Sequence, residues 1–523
     1  MEPEQSTGNI EYKLKLVDLD AEREESLLTQ MKYRLGEGHG EALYCVGITD
    51  DGTPEGISEA ELEETLKNLK KIANKLGADT TVVRKGIANN GFSADILIRT
   101  IPANRFPPEL YICVLGNVDA GKSSLVGCLT TGKLDDGRGA ARLFAFRHPH
   151  EIKSGRTSSV SMRHLGFDVH GNPIEQKVPS DEASLIRKCA KIITLIDLAG
   201  HEKYLRTTIF GVTGSQPDYS MLVVGGNMGV LPLTKEHMAI SLSLKIPLFI
   251  VITKIDITPE HILNKTVNDL KKLLRLPGVD RVPFIIKDMD DVAVSVKNIL
   301  YGRVVPIFFV SNVTGEGHDL LKSFLNLLPK RTIAEYAVER PLLAYVEETF
   351  APQNVGTVLF IRIHEGKIKE GDEVFVGPVK GNFRKVKVRS IHRDRVPVKE
   401  AHAGEMVTIA IKGIDRSEVS PGAAVLSVDE DPVAVREFEA DIYILHHSST
   451  IRRGYETMVH VCTVREQCVI IALSKEPLRT GDAAHATFRL KYNWAYIRPG
   501  MRFIFREGRT RGFGIITAVQ SSN

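Results

Sequence analysis

The chain has 523 residues, 43% hydrophobic and 25% charged, with a formal net charge of +3. That composition fits three or four soluble domains rather than a disordered or fibrous chain. No apolar run approaches the roughly 20 residues that span a bilayer. Six scattered cysteines without a C-x-x-C pair argue against a zinc ribbon or disulfide scaffold.

Residues 1–109 carry 13 basic and 20 acidic side chains, and residues 433–523 carry 13 basic and 8 acidic. The basic C-terminal end suits a polyanion such as RNA, although a mildly biased solvated surface explains it equally well. The first residues include Glu2, Glu4 and Glu11 and no apolar block, so no signal peptide is expected. A cytoplasmic, reduced protein follows, with Cys113 and Cys128 as buried thiols.

Residues 10–35 read as helical, with Leu14, Val17, Leu27, Leu28 and Met31 on one face. A strand is expected at Leu43 to Ile48, then a turn at Asp50 to Pro54. Ser58 and Glu61 form a capping box for a helix with Leu62, Leu66, Leu69, Ala73 and Leu76 inward, stopping at Gly77. Strands at Thr80 to Arg84 and Ala94 to Ile101 complete an α+β domain over 1–108, whose function is not legible.

From 109 to 331 strands and helices alternate, which implies a parallel sheet wrapped by helices and ligands at the carboxyl ends of its strands. Strands are expected at 111–115, 191–196, 219–225, 247–252 and 305–310, and helices near 122–130, 234–244, 259–275 and 318–328. The first strand runs into Gly116, Asn117, Val118, Asp119, Ala120, Gly121, Lys122 and Ser123, a G-x-x-x-x-G-K-[ST] loop followed by Ser124. Two glycines let backbone N–H groups converge on phosphate oxygens, and the helix N-terminus adds its positive end. Lys122 would reach the outer phosphates and Ser123 would ligate Mg²⁺.

Strand 191–196 ends in Asp197-Leu198-Ala199-Gly200, where an acid holds Mg²⁺ and a glycine N–H approaches the γ-phosphate. His201 follows. A lone histidine is usually surface, but here it is placed to orient an attacking water. Thr253, Lys254 and Asp256 follow the strand at 247–252. Asp256 can accept from guanine N1–H and N2–H₂, Lys254 can cover the ring, and Ser311, Asn312 and Val313 can offer N–H groups to O6. The four motifs in this order favour GTP over ATP. Residues 340–523 alternate apolar and polar with glycine turns, which reads as two antiparallel barrels.

These motifs resemble those of translational GTPases. The phosphate loop is similar to G-H-V-D-H-G-K-[ST], Asp197 to His201 to D-x-P-G-H, and Thr234 to His237 to T-x-E-H. Gly155-Arg156-Thr157 stands at the R-G-x-T of switch I. Residues 356–374 and 438–514 resemble the second and third domains of elongation factor Tu, Arg506 to Thr510 lying close to its R-E-G-G-R-T loop. The 148–159 stretch and Phe505 to Thr510 are also similar to the GTP-binding protein 1 and 2 family.

The resemblance implies a P-loop GTPase domain over 109–331, β-barrel domain II over 338–432 and β-barrel domain III over 433–523. It implies GTP hydrolysis to GDP with Mg²⁺ on Ser123, Thr157 and Asp197, and catalysis by His201, Lys122, Thr157 and Gly200. The implied partners are the ribosome and aminoacyl-tRNA or another RNA, with no membrane, no DNA and a monomeric protein. Thr253 departs from the usual Asn, and Phe360-Ile361-Arg362 departs from a usual glycine, which puts the aminoacyl pocket in doubt. The alternatives are a GTP-regulated protein-binding scaffold without tRNA delivery and a sulfate-activation GTPase. The second gives no reason for the loop at 506–510.

Overall fold

The computed structural model describes residues 8–101, 107–146, 151, 160–176, 182–201, 205–276, 279–331, 340–353, 355–429, 431–445, 447, 449–507 and 509–521; for 182–183, 205–207, 210, 509–511 and 521 it describes the backbone alone.

The N-terminal unit comprises β1 (Ile10–Lys13), α1 (Ala21–Glu37), β2 (Glu41–Val46), α2 (Glu59–Lys75), β3 (Ala78–Ala88) and β4 (Gly91–Thr100), with sheet order β1-β2-β4-β3. The capping box forms as expected: Ser58 Oγ accepts from Glu61 N at 3.3 Å, and Glu61 Oε2 accepts from Ser58 N at 2.9 Å. The expectation of a helix beginning at residue 10 is corrected. Ile10–Lys13 is a strand, parallel to Leu43–Val46, and the helix starts only after the Asp20 cap.

The opposite sheet face packs on the next unit through buried charge. Glu41 takes Arg99 at 2.6 Å and Lys191 at 2.8 Å, and Lys191 also donates to the carbonyls of Asn326 and Leu328. Asp95 takes Lys297 at 3.0 Å. Removing one member of such a buried pair costs about 3–5 kcal/mol, because its partner stays desolvated.

The next unit contains β5 (Glu109–Gly116), α3 (Lys122–Thr131), β6 (Ser161–Phe167), β7 (Pro173–Ile174), α4 (Glu182–Lys188), β8 (Lys191–Asp197), α5 (Leu205–Ser215) and β9 (Tyr219–Gly225). It continues through α6 (Pro232–Ser243), β10 (Leu248–Thr253), α7 (Glu260–Leu274), β11 (Val282–Ile285), α8 (Met289–Ile299), β12 (Val304–Phe309) and α9 (His318–Leu327). The sheet order is β11-β12-β10-β9-β5-β8-β6-β7. The first six are parallel, and β6 and β7 add an antiparallel edge that the periodicity did not announce. All eight residues of β5 are buried, as a central strand covered on both faces requires.

Two closed barrels follow. The first closes β13 (Leu343–Phe350), β14 (Thr357–Glu365), β16 (Glu373–Val379), β17 (Asn382–Arg393), β20 (Met406–Lys412) and β21 (Ala424–Ser427), with the short strands β15 (Lys367–Lys369), β18 (Val396–Val398) and β19 (Glu400–His402) outside the ring. The second closes β22 (Val435–Ile444), β23 (Glu456–Val461), β24 (Val464–Leu473), β25 (Ala483–Leu490), β26 (Arg502–Glu507) and β27 (Arg509–Ser521). Its core stacks Phe438 on Phe488 at 5.1 Å with Phe503 edge-on. All six cysteines are buried and unbridged, and among the described residues no helix is long and apolar enough to cross a membrane.

Among the contacts that fasten the barrels to the sheet unit, two involve buried carboxylates. Arg393 of β17 reaches Glu109 at 3.0 Å at the start of β5; burial pushes that carboxyl up, but Arg393, His164 and the hydroxyls of Thr194 and Tyr111 together outweigh it and hold Glu109 at about 2. At the second point the Glu347 carboxyl of β13 and the Thr463 methyl both lie against Gly214 of α5, and Glu347 Oε1 has no hydrogen-bond partner among the described residues.

Burial lifts Glu347 to about 8, Arg362 opposing. A hydrated glutamate titrates near 4.5, so opening this contact releases a proton between the two values. The contribution of Glu347 to docking is therefore greatest below about pH 4.5, declines up to about pH 8 and is flat beyond. The melting temperature of Glu347→Gln minus that of the native chain is expected to widen from pH 5 to pH 8 and then level off. A difference independent of pH contradicts this reading.

Candidate nucleotide site

The carboxyl ends of β5, β8, β9 and β10 converge on one cavity of about 250 Å³. Gly116 leaves β5 at φ 148°, where an added Cβ would collide with the Val223 carbonyl of β9. The loop passes through Asp119, itself left-handed at φ 56°, to Gly121, the N-cap of α3. No side chain caps α3, so its first N–H groups remain for a ligand.

Lys122 Nζ folds back over the loop and donates to Gly116 O at 3.1 Å and Asn117 O at 2.9 Å. Burial lowers its ammonium to about 8, with Asp197 and Asp119 opposing. Ser123 Oγ donates to Asp197 Oδ2 at 2.6 Å. The chain beyond Asp197 runs so close that a Cβ on Gly200 would strike Lys122 Nζ and come within 2.8 Å of the Asn117 carbonyl. Glycine is thus required there by contact. His201 is half-buried and lines the cavity with Val118, Asp119, Gly121, Lys122, Ser123, Ser124, Gly200 and Lys254.

The far end is fixed by side-chain ties. Thr253 Oγ1 donates to Ala120 O at 2.7 Å, so the hydroxyl in place of the usual Asn still binds β10 to the phosphate loop. Asn312 Nδ2 reaches Gly121 O at 3.5 Å and its Oδ1 meets His318 Nε2 at 3.1 Å, while Ser311 Oγ accepts from the N–H groups of Val313 and Thr314. Asp256 is exposed on the turn after β10 and is not part of the cavity wall. Thr157 and the rest of the 152–159 stretch lie outside the described residues.

Thr253→Val keeps the shape and removes the tie. One buried hydrogen bond is worth about 0.5–1.5 kcal/mol, so guanine-nucleotide release is expected to quicken by roughly 2–10-fold. Stopped-flow release of a fluorescent GDP measures it, and an unchanged rate would show that the tie does not hold the loop.

Two parts of the site escaped the sequence reading. His237 of α6 is fully buried, and its Nδ1 accepts the Gly116 N–H at 3.1 Å. Burial and the neighbouring Lys122 hold it at about 3, so the ring is neutral with its proton on Nε2. The T-x-E-H likeness named the residue without a role. The second part is the segment after α3. Asp135, Gly137, Arg138, Gly139 and Arg142 line the cavity. Asp135 and Asp136 accept backbone N–H groups of residues 138–141, and Asp135 N donates to Asn312 O at 2.8 Å. Two adjacent aspartates before a Gly-Arg-Gly turn are the signal that was available.

Comparison with known proteins agrees with this arrangement. Residues 108–336 match the elongation factor Tu GTP binding domain, 356–426 elongation factor Tu domain 2, and 431–520 the elongation factor Tu C-terminal domain. The chain is 43% identical over 523 residues to GTP-binding protein 1 of Xenopus laevis, covering 98% of this chain and 79% of the relative. It is 41% identical over 530 residues to GTP-binding protein 2 of Homo sapiens, covering 99% and 88%. Among solved structures the fold is similar to elongation factor SelB of Methanococcus maripaludis in complex with the GTP analogue GppNHp, with a TM-score of 0.57, 21% identity, and 80% and 81% of the two chains covered.

Proposed function

Because this chain belongs to the GTP-binding protein 1 and 2 family and carries the three elongation factor Tu-type domains, it is a GTPase of translation-factor type, and we propose that it couples GTP hydrolysis to a ribosome carrying aminoacyl-tRNA, in elongation or its surveillance, in the cytoplasm. The observation that supports the reading most is the packing of Gly200 on Lys122, with His201 next to it in the cavity wall.

In this reading the N–H groups of residues 117–123 and the Lys122 ammonium hold the phosphates, and the Gly200 N–H meets the γ-phosphate. His201 orients the attacking water once the ribosome presses it into line. Ser123 Oγ and the Asp197 carboxylate, 2.6 Å apart, are hard oxygen donors that fit Mg²⁺. When bound, that ion would neutralise charge on the phosphate oxygens. Thr157 is proposed to close onto the same place. Thr253 and Asn312 keep the loop in register while Lys254, Asp256, Ser311 and Val313 receive the base.

Asp256→Asn is expected to exchange guanine for xanthine preference, since an amide donor replaces the acceptor. Competition between GTP and XTP measures it, and retained GTP preference removes Asp256 from base recognition.

The coupling is tested by GTP turnover alone, with ribosomes, and with ribosomes plus aminoacyl-tRNA. Stimulation only in the last mixture supports delivery, and no stimulation in either favours the GTP-regulated scaffold. One observation speaks for the scaffold: Ile361 and Arg362, beside the usual glycine position, are both buried, Arg362 lying over the Tyr111 ring. The basic loop proposed to touch RNA contains Arg509 and Arg511, whose side chains lie outside the described residues.

A further inference from the structure

Away from the nucleotide cavity, a second one of about 550 Å³ opens where the sheet unit and both barrels meet. Its charge is one-sided. Lys330 and Arg331 come from the segment after α9, Arg340 and Arg362 from the first barrel, and Arg502 from the second. Glu405 acts on Lys330 and Glu347 on Arg362 from outside the lining, and among the described lining residues the acids are Asp218 and Glu365.

Both acids are engaged already. Asp218 Oδ2 accepts the Tyr111 N–H at 2.8 Å, and Glu365 takes Arg340 at 3.1 Å and Arg498 at 3.4 Å. Lys330 and Arg502 make no side-chain hydrogen bond among the described residues. Arg331 has a single long one, to Lys245 O at 3.4 Å.

Arg362 is the most telling member. It is 5% exposed, lies 4.2 Å over the Tyr111 ring, and among the described residues reaches Gln216 O at 3.4 Å through Nη2 while Nη1 has no hydrogen-bond partner. A buried guanidinium with an unmade bond carries an uncompensated desolvation cost, unlike an exposed lysine that water serves. The remaining wall mixes apolar Leu343, Ile363 and Met501 with polar Thr213, Gln216 and His364. At about 550 Å³ the space falls within the usual range of small-molecule sites.

We propose that this junction binds a compact polyanion bearing at least two phosphoryl groups, held by Lys330, Arg331, Arg362 and Arg502 together. More than one acid group is required because the four cations come from three separate units. Since no single unit supplies the whole set, the ligand binds the docked arrangement and stabilises it by linkage. The site is independent of the nucleotide reading, because none of its residues lines the phosphate-loop cavity.

The test titrates inorganic pyrophosphate at fixed free magnesium into the full chain saturated with GDP, so that the phosphate loop is filled, and follows heat and melting temperature. Saturable uptake at one site is expected, with a rise in melting temperature and weaker uptake of orthophosphate. Lys330→Met and Arg502→Met should each weaken uptake by on the order of tenfold, the loss of one charge-assisted contact, while melting without pyrophosphate stays unchanged. Raising GDP further should leave uptake intact. No saturable uptake, uptake by both junction variants equal to that of the native chain, or competition by GDP each overturns the proposal.

Discussion

Lys122→Met is expected to lower affinity for GDP and GTP by about a hundredfold or more without unfolding the protein. Methionine matches the length of the aliphatic stem, so the packing beneath Gly200 survives. What disappears is an ammonium already positioned by two carbonyls, at 2.9 and 3.1 Å. A hydrogen bond to a charged group contributes about 1.5–3 kcal/mol, and a bridging lysine makes at least two with a polyphosphate.

The nucleotide-free protein should behave oppositely. Burial holds Lys122 at about 8 there, so its charge is partly uncompensated, and removing it should leave the melting temperature level or higher. Titration with a fluorescent GDP, alongside melting with and without nucleotide, measures both. Unaltered affinity would remove the phosphate loop from nucleotide binding.

His201→Ala should bind GTP as the native chain does and lose stimulated turnover by about 10²–10⁴, the usual worth of a positioned acid–base group. The two effects separate because His201 stands at the rim, beyond Gly200, whereas the loop and Lys122 make the cradle. Single-turnover hydrolysis at saturating ribosome and aminoacyl-tRNA reads the loss. Equal stimulated rates for variant and native chain would place the water under another residue's control.

What the sequence disclosed is mostly what is local. The strand, loop and helix over 109–131 are written in contiguous residues, so their joint role in one cavity is legible, as is the capping box at Ser58. Thr253 stood out in the sequence as a departure from the usual Asn, and its hydroxyl bonds Ala120 O.

The failures are tertiary. Ile10–Lys13 is too short to carry a period, and its partner Leu43–Val46 lies some thirty residues on, so it was absorbed into a helix. His237 meets Gly116 from 121 residues away, through a helix whose face cannot be assigned before the sheet order is known. The wall from Asp135 to Arg142 could not be placed because what holds it, the carbonyl of Asn312, belongs to the opposite end of the domain.

The Lys191–Glu41 pair bears on how this protein can be dissected. Lys191 is the first residue of the strand that ends in Asp197, and its carboxylate counterion belongs to a different module. A shortened version starting at Glu109 would keep the amine and discard the acid, leaving Lys191 with the carbonyls of Asn326 and Leu328 and no counterion. Since that strand leads to Asp197, the carboxylate proposed for magnesium, the intact polypeptide is the proper object for enzymology.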